Sequence, residues 1–145
     1  MKVIIQRVKS ANLTSYGKQI SKIQNGLLVL LGIKDDDTKE DALFLINKIA
    51  NMRIFDDLEG KLNLSIKDIN GEILVVSNFT IYGEAKKGNR PNFMKSAKKE
   101  TAKILYEYFV NELDKLIPTH KCAFGEEMKI DTILDGPITI ILQSE

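Results

Sequence analysis

The run Gly26–Ile33, which reads Gly-Leu-Leu-Val-Leu-Leu-Gly-Ile, most constrains the fold. It is apolar on both faces and only eight residues long. A buried helix normally needs a longer segment, whereas a strand covered on both faces needs such a run. The run therefore predicts a central buried strand, with the rest of a sheet built around it.

Further strand patterns occur along the chain, and two amphipathic helix patterns lie between them. The strand patterns are Val3–Val8, a hairpin over Ala11–Ile23 that turns at Tyr16–Lys18, Arg53–Phe55, Leu62–Leu64, Ile73–Phe79, Met128–Ile133 and Ile138–Leu142, with a turn at Leu134–Gly136 before the last strand. The helix patterns are one that begins at the capping box of Thr38 and Asp41, with an apolar stripe of Leu43, Ile46, Ile49 and Ala50, and one over Ser96–Leu116. This order predicts a mixed, sheet-rich α/β fold, with twisted, partly barrel-like β-sheets and two main helices packed on one side.

Composition indicates an ordinary globular protein. At 145 residues and 43% hydrophobic, the chain is expected to form a single domain over residues 1–145. Its net charge of +1 gives no overall field that would attract a polyanion, so a nucleic acid would need a local basic patch. The chain has one cysteine, no signal-peptide pattern and no apolar run of the roughly 20 residues that cross a bilayer. We therefore expect a cytoplasmic protein.

The side chains that usually carry catalysis are nearly absent. His120 and Cys122 are the only histidine and cysteine, and no acidic residue stands at a spacing that would orient them as a catalytic pair. Asp35–Asp37 precede a helix, and such a run is more often a solvated loop than a metal site. A convincing zinc ligand set and a glycine-rich nucleotide loop are also missing. Neither a metal nor a cofactor is expected.

Two segments at strand ends remain as candidates for chemistry. Ser77–Thr80 follows the apolar run Glu72–Val76, and Asp135–Pro137 leads into Ile138–Leu142. Backbone amides at a strand end can point at a developing oxyanion. Alternatively, the first segment only terminates a strand and the second is a hairpin turn. From the residues alone, both interpretations stand.

Several short blocks, taken in order, resemble the D-aminoacyl-tRNA deacylases. They are Gln6–Val8, Gly26–Gly32, Arg53–Phe55, Val76–Thr80, Lys87–Phe93, Phe124–Gly125 and Asp135–Thr139. The resemblance spans the chain from Met1 to the last strand. It implies the fold of that family, a homodimer, and hydrolysis of the ester that joins a D-amino acid to the 3′-terminal adenosine of tRNA. It also implies glycine mischarged on tRNA(Ala) as a substrate.

The resemblance further implies roles for individual residues. Backbone amides near Phe79 would bind the ester carbonyl. The main-chain oxygens of a cis Gly136–Pro137 pair would enter the partner's site and exclude L-amino acids, and Arg7 would hold that pair in place. The lack of a base beside Thr80 favours a positioning hydroxyl over a nucleophile. The other implied site residues are Ser77 and Asn78 for catalysis, and Lys86, Lys87, Arg90, Phe124 and Gly125 for binding tRNA or its adenosine.

Four positions depart from the family pattern. Asn78, Cys122, Glu126 and Leu134 stand where the family commonly has glutamine, glycine, a small residue and asparagine. Two alternatives to a D-specific deacylase therefore stay open: a non-catalytic RNA- or protein-binding homologue, and a proofreader of other misacylated tRNAs. DNA and membranes are not expected partners.

Overall fold

The computed structural model describes residues 1–144, which form eight strands, two α-helices and one 3-10 helix. The strands are β1 (Lys2–Ser15), β2 (Lys18–Ile23), β3 (Gly26–Gly32), β4 (Phe55–Asp56), β5 (Leu62–Leu64), β6 (Glu72–Ser77), β7 (Thr119–Lys121) and β8 (Lys129–Gln143). The helices are α1 (Lys39–Asn51), the 3-10 helix Phe79–Tyr82, and α2 (Lys99–Asp114). None of the helices described is long and apolar enough to cross a membrane.

The main sheet curves into a nearly closed barrel. One edge of β1 pairs with β3 along its first half and with β2 along its second half, while β8 follows the other edge. Parallel pairing then joins β3 to β6 and β6 to β7. The Ser21 hydroxyl of β2 donates to the Lys121 carbonyl of β7 at 2.6 Å, which brings the two ends of the sheet together. The predicted barrel-like α/β fold is confirmed.

The central strand and the first helix form as the sequence predicts. β3 lies between β1 and β6, and its apolar residues are buried except for Leu30, which is partly exposed. Thr38 and Asp41 form the predicted reciprocal capping box at the start of α1. The predicted stripe is wrong at Leu43, which is 44% exposed. Ala42 and Leu45 face the core in its place, because the buried face of α1 is rotated by one position.

The second helix is shorter than predicted. It begins at Lys99 rather than Ser96 and ends at Asp114, so Leu116 falls outside it and is half exposed. Leu105, Phe109 and Leu113 do pack in the core, as their spacing indicates.

The predicted turn at Leu134–Gly136 is wrong, because β8 is one strand of 15 residues. Its pairing with β1 runs from Lys2 to Thr14, and this long ladder holds both halves of β8 in one line. The register passes from the Gln6–Thr139 pair to the Val8–Leu134 pair. Residues 135–138 therefore stand opposite Arg7 alone and form a bulge in place of a turn.

The interpretation of Asp35–Asp37 as a solvated loop is wrong for its last member. Asp37 is buried and accepts hydrogen bonds from the Met1 ammonium and from the Lys34 amide. The same ammonium donates to the Ser144 hydroxyl at 2.7 Å. Both ends of the described chain are thus fixed beside the start of α1. Among residues 1–144, no group of three or more histidine, cysteine, aspartate or glutamate side chains could hold a metal ion.

Candidate functional site

The first candidate segment is a strand end followed directly by a 3-10 helix. β6 ends at Ser77, two residues before the predicted end, because Asn78 caps the helix that starts at Phe79. The Asn78 side-chain oxygen accepts from the Thr80 amide at 3.1 Å and also from the Thr80 hydroxyl. Asn78, one methylene shorter than the family's usual glutamine, therefore finds its partners inside the segment.

The direction of the backbone amides at this strand end suits a site. Asn78 is extended, at φ −141° and ψ 93°, so successive amides point to opposite sides. The Ser77 amide points to the Cys122 thiol and the Asn78 amide donates to the Leu31 carbonyl at 2.8 Å. The Phe79 amide therefore returns to the side of Cys122, where it can donate to a bound carbonyl oxygen.

A cavity of about 500 Å³ opens on this side of β6. Ser77, Asn78 and Phe79 line one wall, and Phe124 and Gly125 line another. The structure thus brings together five residues that the resemblance placed in one site. The other lining residues are Ala97, Lys99, Ala102, Glu126 and Met128.

Thr80 lies at the surface beside this cavity rather than in its lining. Its hydroxyl donates to the side-chain amide oxygen of Asn78, which is far too weak a base to activate a nucleophile. His120 lies on β7, where its Nε2 contacts the Glu72 carboxylate at 3.0 Å. Neither contact prepares a catalytic pair of the Ser-His or Cys-His kind.

Tyr106 connects β6, which carries one wall of the cavity, to the segment that follows β7, which carries the other wall. Its phenol, fully buried on α2, donates to the Val75 carbonyl at 2.9 Å and accepts from the Cys122 amide at 2.8 Å. Its ring also contacts the Phe124 ring, with 5.3 Å between centroids. Burial raises the pKa of the Tyr106 phenol far above its usual range, so the phenol keeps its proton and donates.

Cys122 is a buried packing residue beside this network. Burial raises the pKa of its thiol, which therefore stays neutral and unreactive. Its sulfur lies 3.5 Å from the Ser77 amide nitrogen. A glycine here could not offer that acceptor, so this departure from the family pattern supports the strand end.

The second candidate segment lies away from the cavity of its own chain. Gly136 and Pro137 are exposed, the peptide bond between them is cis, and neither residue lines the cavity. Arg7 is buried and holds the preceding residue, with its Nε 3.1 Å from a carboxylate oxygen of Asp135. Its Nη1 donates to the Ile54 carbonyl at 3.0 Å. The buried guanidinium is thus satisfied and braces the bulge that carries Gly136.

The basic residues Lys86, Lys87 and Arg90 lie together on the exposed loop between the 3-10 helix and α2. None of them lines the cavity. The later part of the loop lies close to the cavity, because the ring of Phe93 meets the ring of the lining residue Phe79 edge to face, with 5.3 Å between centroids.

Sequence reasoning missed Lys99, Tyr106 and Met128 as parts of the site. Tyr106 matched the core pattern of a helix, and nothing local distinguishes a core tyrosine from one that joins two walls. Lys99 did carry a signal. Two consecutive lysines, Lys98 and Lys99, stand at the start of α2, where the helix dipole disfavours positive charge. Such a local mismatch often marks a functional position.

Comparisons with known proteins identify the family of this chain. The family model described as D-Tyr-tRNA(Tyr) deacylase matches residues 4–143. A D-aminoacyl-tRNA deacylase of Thermosipho melanesiensis is 51% identical, and one of Caldicellulosiruptor saccharolyticus is 50% identical, each over all of this chain and 98% of the relative.

Solved structures show the same fold. A structure named c-Myc DNA Unwinding Element Binding Protein superposes with a TM-score of 0.94 at 39% identity, over 100% of this chain and 99% of that one. A probable eukaryotic D-amino acid tRNA deacylase superposes with a TM-score of 0.85 at 15% identity, over 99% and 98% of the two chains. Together with the family match, these similarities confirm the predicted resemblance: the chain belongs to the D-Tyr-tRNA(Tyr) deacylase family and is a hydrolase.

Proposed function

We propose that this chain hydrolyses D-aminoacyl-tRNA at the cavity between Ser77–Phe79 and Phe124–Gly125. The observation that carries the proposal is the extended backbone at Ser77 and Asn78, whose amides point to opposite sides and so direct the Phe79 amide toward the cavity side, where it can bind the ester carbonyl oxygen as negative charge develops on it. The terminal adenosine would lie against Phe124 and Gly125, the aromatic wall of the same cavity.

The nucleophile in this proposal is water, and Thr80 is a positioning residue. Its hydroxyl is committed to the Asn78 side chain, with no base beside it. The adjacent 2′-hydroxyl of the terminal ribose would activate the water, as the family resemblance implies. Asn78 in turn holds the 3-10 helix against the strand end and so fixes the direction of the Phe79 amide.

Deacylation assays test this assignment. Wild-type protein should release D-tyrosine from D-Tyr-tRNA and leave L-Tyr-tRNA intact. Asn78→Ala should lower kcat by about tenfold or more while KM changes little, because misplaced donors lose transition-state stabilisation. Asn111→Ala, at an exposed asparagine of α2 that does not line the cavity, is the matched control. Absence of D-tyrosine release by the wild type at micromolar enzyme would refute the assignment and favour a non-catalytic RNA-binding role.

The substrate is selected, we propose, by a second copy of the chain. Gly136 and Pro137 would enter the partner's cavity, where their main-chain oxygens would collide with an L side chain and leave room for a D side chain. Glycine has no side chain to exclude, so glycyl-tRNA(Ala) should also be cleaved. Rates of release of glycine, L-alanine and D-amino acids from matched tRNAs should be measured. These rates distinguish this proposal from the alternative of a proofreader of other misacylated tRNAs.

The exposed surface of β8 supports such a homodimer. This 15-residue strand pairs with β1 on one edge only and exposes Ile133, Leu134 and Ile141. A long apolar edge strand is normally covered by a partner. Light scattering should show a dimer for the wild type and a monomer for Ile141→Lys. Ile104→Lys, at an equally exposed isoleucine on α2, should stay dimeric. Dimerisation of both variants would contradict this interface.

Lys86, Lys87 and Arg90 are proposed to contact tRNA phosphates. Because the net charge is only +1, such a local patch would have to supply the salt-dependent part of the affinity. One solved relative is named as a DNA-binding protein, so DNA is the relevant competitor. Unacylated tRNA should inhibit deacylation more strongly than duplex DNA of equal nucleotide concentration, and equal inhibition would contradict a preference for tRNA.

The whole chain, residues 1–145, is proposed to act as one deacylase domain in the cytoplasm, where aminoacyl-tRNA is used. The proposal of a single domain is supported by one hydrophobic cluster, because its buried members run from Met1 to Cys122. Limited proteolysis should yield no stable fragment smaller than the chain.

A further inference from the structure

Lys99 forms part of the cavity wall, next to Gly125. A β-carbon built on Gly125 would lie 2.7 Å from Cε and 2.9 Å from Nζ of Lys99, closer than atoms can approach. Gly125 also has φ +74°, which favours glycine, and its lack of a side chain leaves room for the flexible end of Lys99 to lie over the backbone. Within residues 1–144 the ammonium makes no salt bridge.

The Lys99 ammonium has no carboxylate partner within the cavity. Glu126 is the one carboxylate that lines the cavity, and it accepts a hydrogen bond from the Ser15 hydroxyl at 2.8 Å rather than from Lys99. Lys99 is the first residue of α2 and follows Lys98, and the start of this helix is offset by the Asp35 carboxylate, which accepts from the Lys98 amide at 3.1 Å, and by Glu100 in the first turn. These acidic groups act on the helix end, whereas the Lys99 ammonium itself lies in the cavity wall, where it can pair with an anionic group of a bound ligand.

We propose that Lys99 binds the phosphodiester that joins the terminal adenosine to the preceding nucleotide of the tRNA. This inference rests on the proposed function, because it assumes that the ester lies at the Phe79 amide in the same cavity. The ester is on the 3′ side of the terminal ribose and the phosphate is on its 5′ side, so both are within one nucleotide. A lysine suits this task, since its ammonium recognises phosphate as a point charge without demanding one orientation.

Three esters of the same D-amino acid separate the phosphate from the rest of the substrate. D-tyrosyl-adenosine has the ester, ribose and base without a phosphate. The D-tyrosyl ester of the dinucleotide cytidylyl-adenosine adds one phosphodiester, and D-Tyr-tRNA adds the rest. For Lys99→Ala, KM should rise about tenfold with the dinucleotide and tRNA esters and stay within about twofold with the adenosine ester. The kcat should change little with any of the three.

Lys99→Arg should restore the KM for the dinucleotide ester, because it keeps a cation at this place. Lys103→Ala is the matched control: it removes an exposed lysine one turn further along α2 that does not line the cavity. It should leave the KM for the dinucleotide ester unchanged.

Each other outcome has a separate meaning. An equal rise of KM with the adenosine and dinucleotide esters would overturn the phosphate assignment and place Lys99 against the base or ribose. No rise with the dinucleotide ester would overturn it as well. If the small esters are poor substrates, inhibition of D-Tyr-tRNA cleavage by adenosine and by adenosine 5′-monophosphate decides: Lys99→Ala should abolish the advantage of the monophosphate. Failure of the wild type to cleave D-Tyr-tRNA refutes the proposed function instead.

Discussion

Removal of one buried hydroxyl, Tyr106→Phe, tests whether the phenol joins the two walls of the cavity. The substitution keeps the ring and its contact with Phe124, and it deletes the donor to the Val75 carbonyl and the acceptor of the Cys122 amide. Each such hydrogen bond contributes about 1 kcal/mol net, and an orphaned buried amide costs about 1–3 kcal/mol. The expected loss in the free energy of unfolding is therefore about 2–3 kcal/mol.

Tyr82→Phe is the matched control for this loss. The Tyr82 hydroxyl is buried and has no hydrogen-bond partner among residues 1–144, and burial raises the pKa of its phenol as well. Its removal deletes no bond and relieves an unsatisfied polar group, so the free energy of unfolding should change by less than about 0.5 kcal/mol or increase slightly.

Urea denaturation at one fixed protein concentration measures both changes, since a dimer would make the midpoint depend on concentration. With an unchanged m-value, the midpoint for Tyr106→Phe should fall clearly below that of the wild type while Tyr82→Phe stays near it. In thermal unfolding the corresponding drop is about 6–10 °C for a chain of this size. Equal shifts for the two variants would refute the argument, because they would show that neither hydroxyl matters beyond its volume.

Three further outcomes are expected. Asp37→Asn should lower the free energy of unfolding, measured by urea denaturation, by about 3 kcal/mol or more, because it leaves the buried Met1 ammonium without its counter-ion. Asp36→Asn, at the surface, should lower it little, and equal losses for the two variants would contradict this reasoning. The folded Cys122 thiol has a raised pKa, so its contribution to stability is present below the unfolded value near 9 and is lost as pH rises above it. Stability should thus fall more steeply above pH 9 in the wild type than in Cys122→Ala, and parallel profiles would count against it. Arg7→Lys should lower the free energy of unfolding, measured by thermal denaturation, by about 1–2 kcal/mol, because a lysine cannot keep both the contact with the Asp135 carboxylate and that with the Ile54 carbonyl. A loss under about 0.5 kcal/mol would show that one contact suffices.

Features set by neighbouring residues were predictable from the sequence. The apolar run of β3 required a buried strand, and Thr38 with Asp41 formed a capping box because both partners lie within one turn. Features that depend on distant partners were not predictable in this way. β8 continues through the bulge at residues 135–138 because its pairing with β1 outweighs the turn preference of Asp-Gly-Pro.

The same distinction between local and distant partners applies to the candidate site. The resemblance placed Ser77–Phe79, Phe124 and Gly125 in one site, and the structure brings these residues together around one cavity, while their roles stay predictions. The buried ion pair of Asp37 and the position of Lys99 in the cavity wall were not predicted. The partner of Asp37 is the distant Met1 ammonium, and the position of Lys99 depends on how α2 packs against Gly125. No local pattern encodes either arrangement.

The pairing of β1 with β8 has a consequence for synthesis. β1 is synthesised before β8 and pairs with it along nearly its whole length, and the Met1 ammonium donates to the Ser144 hydroxyl. Contacts of such high sequence separation form slowly, because the entropy of closing the long loop is lost before the contacts form. One complete edge of β1 therefore stays open to other strands until translation of the C-terminal segment is finished. The nascent chain is most exposed to aggregation in that interval, and holding β1 unpaired until release is the step at which a chaperone would matter most.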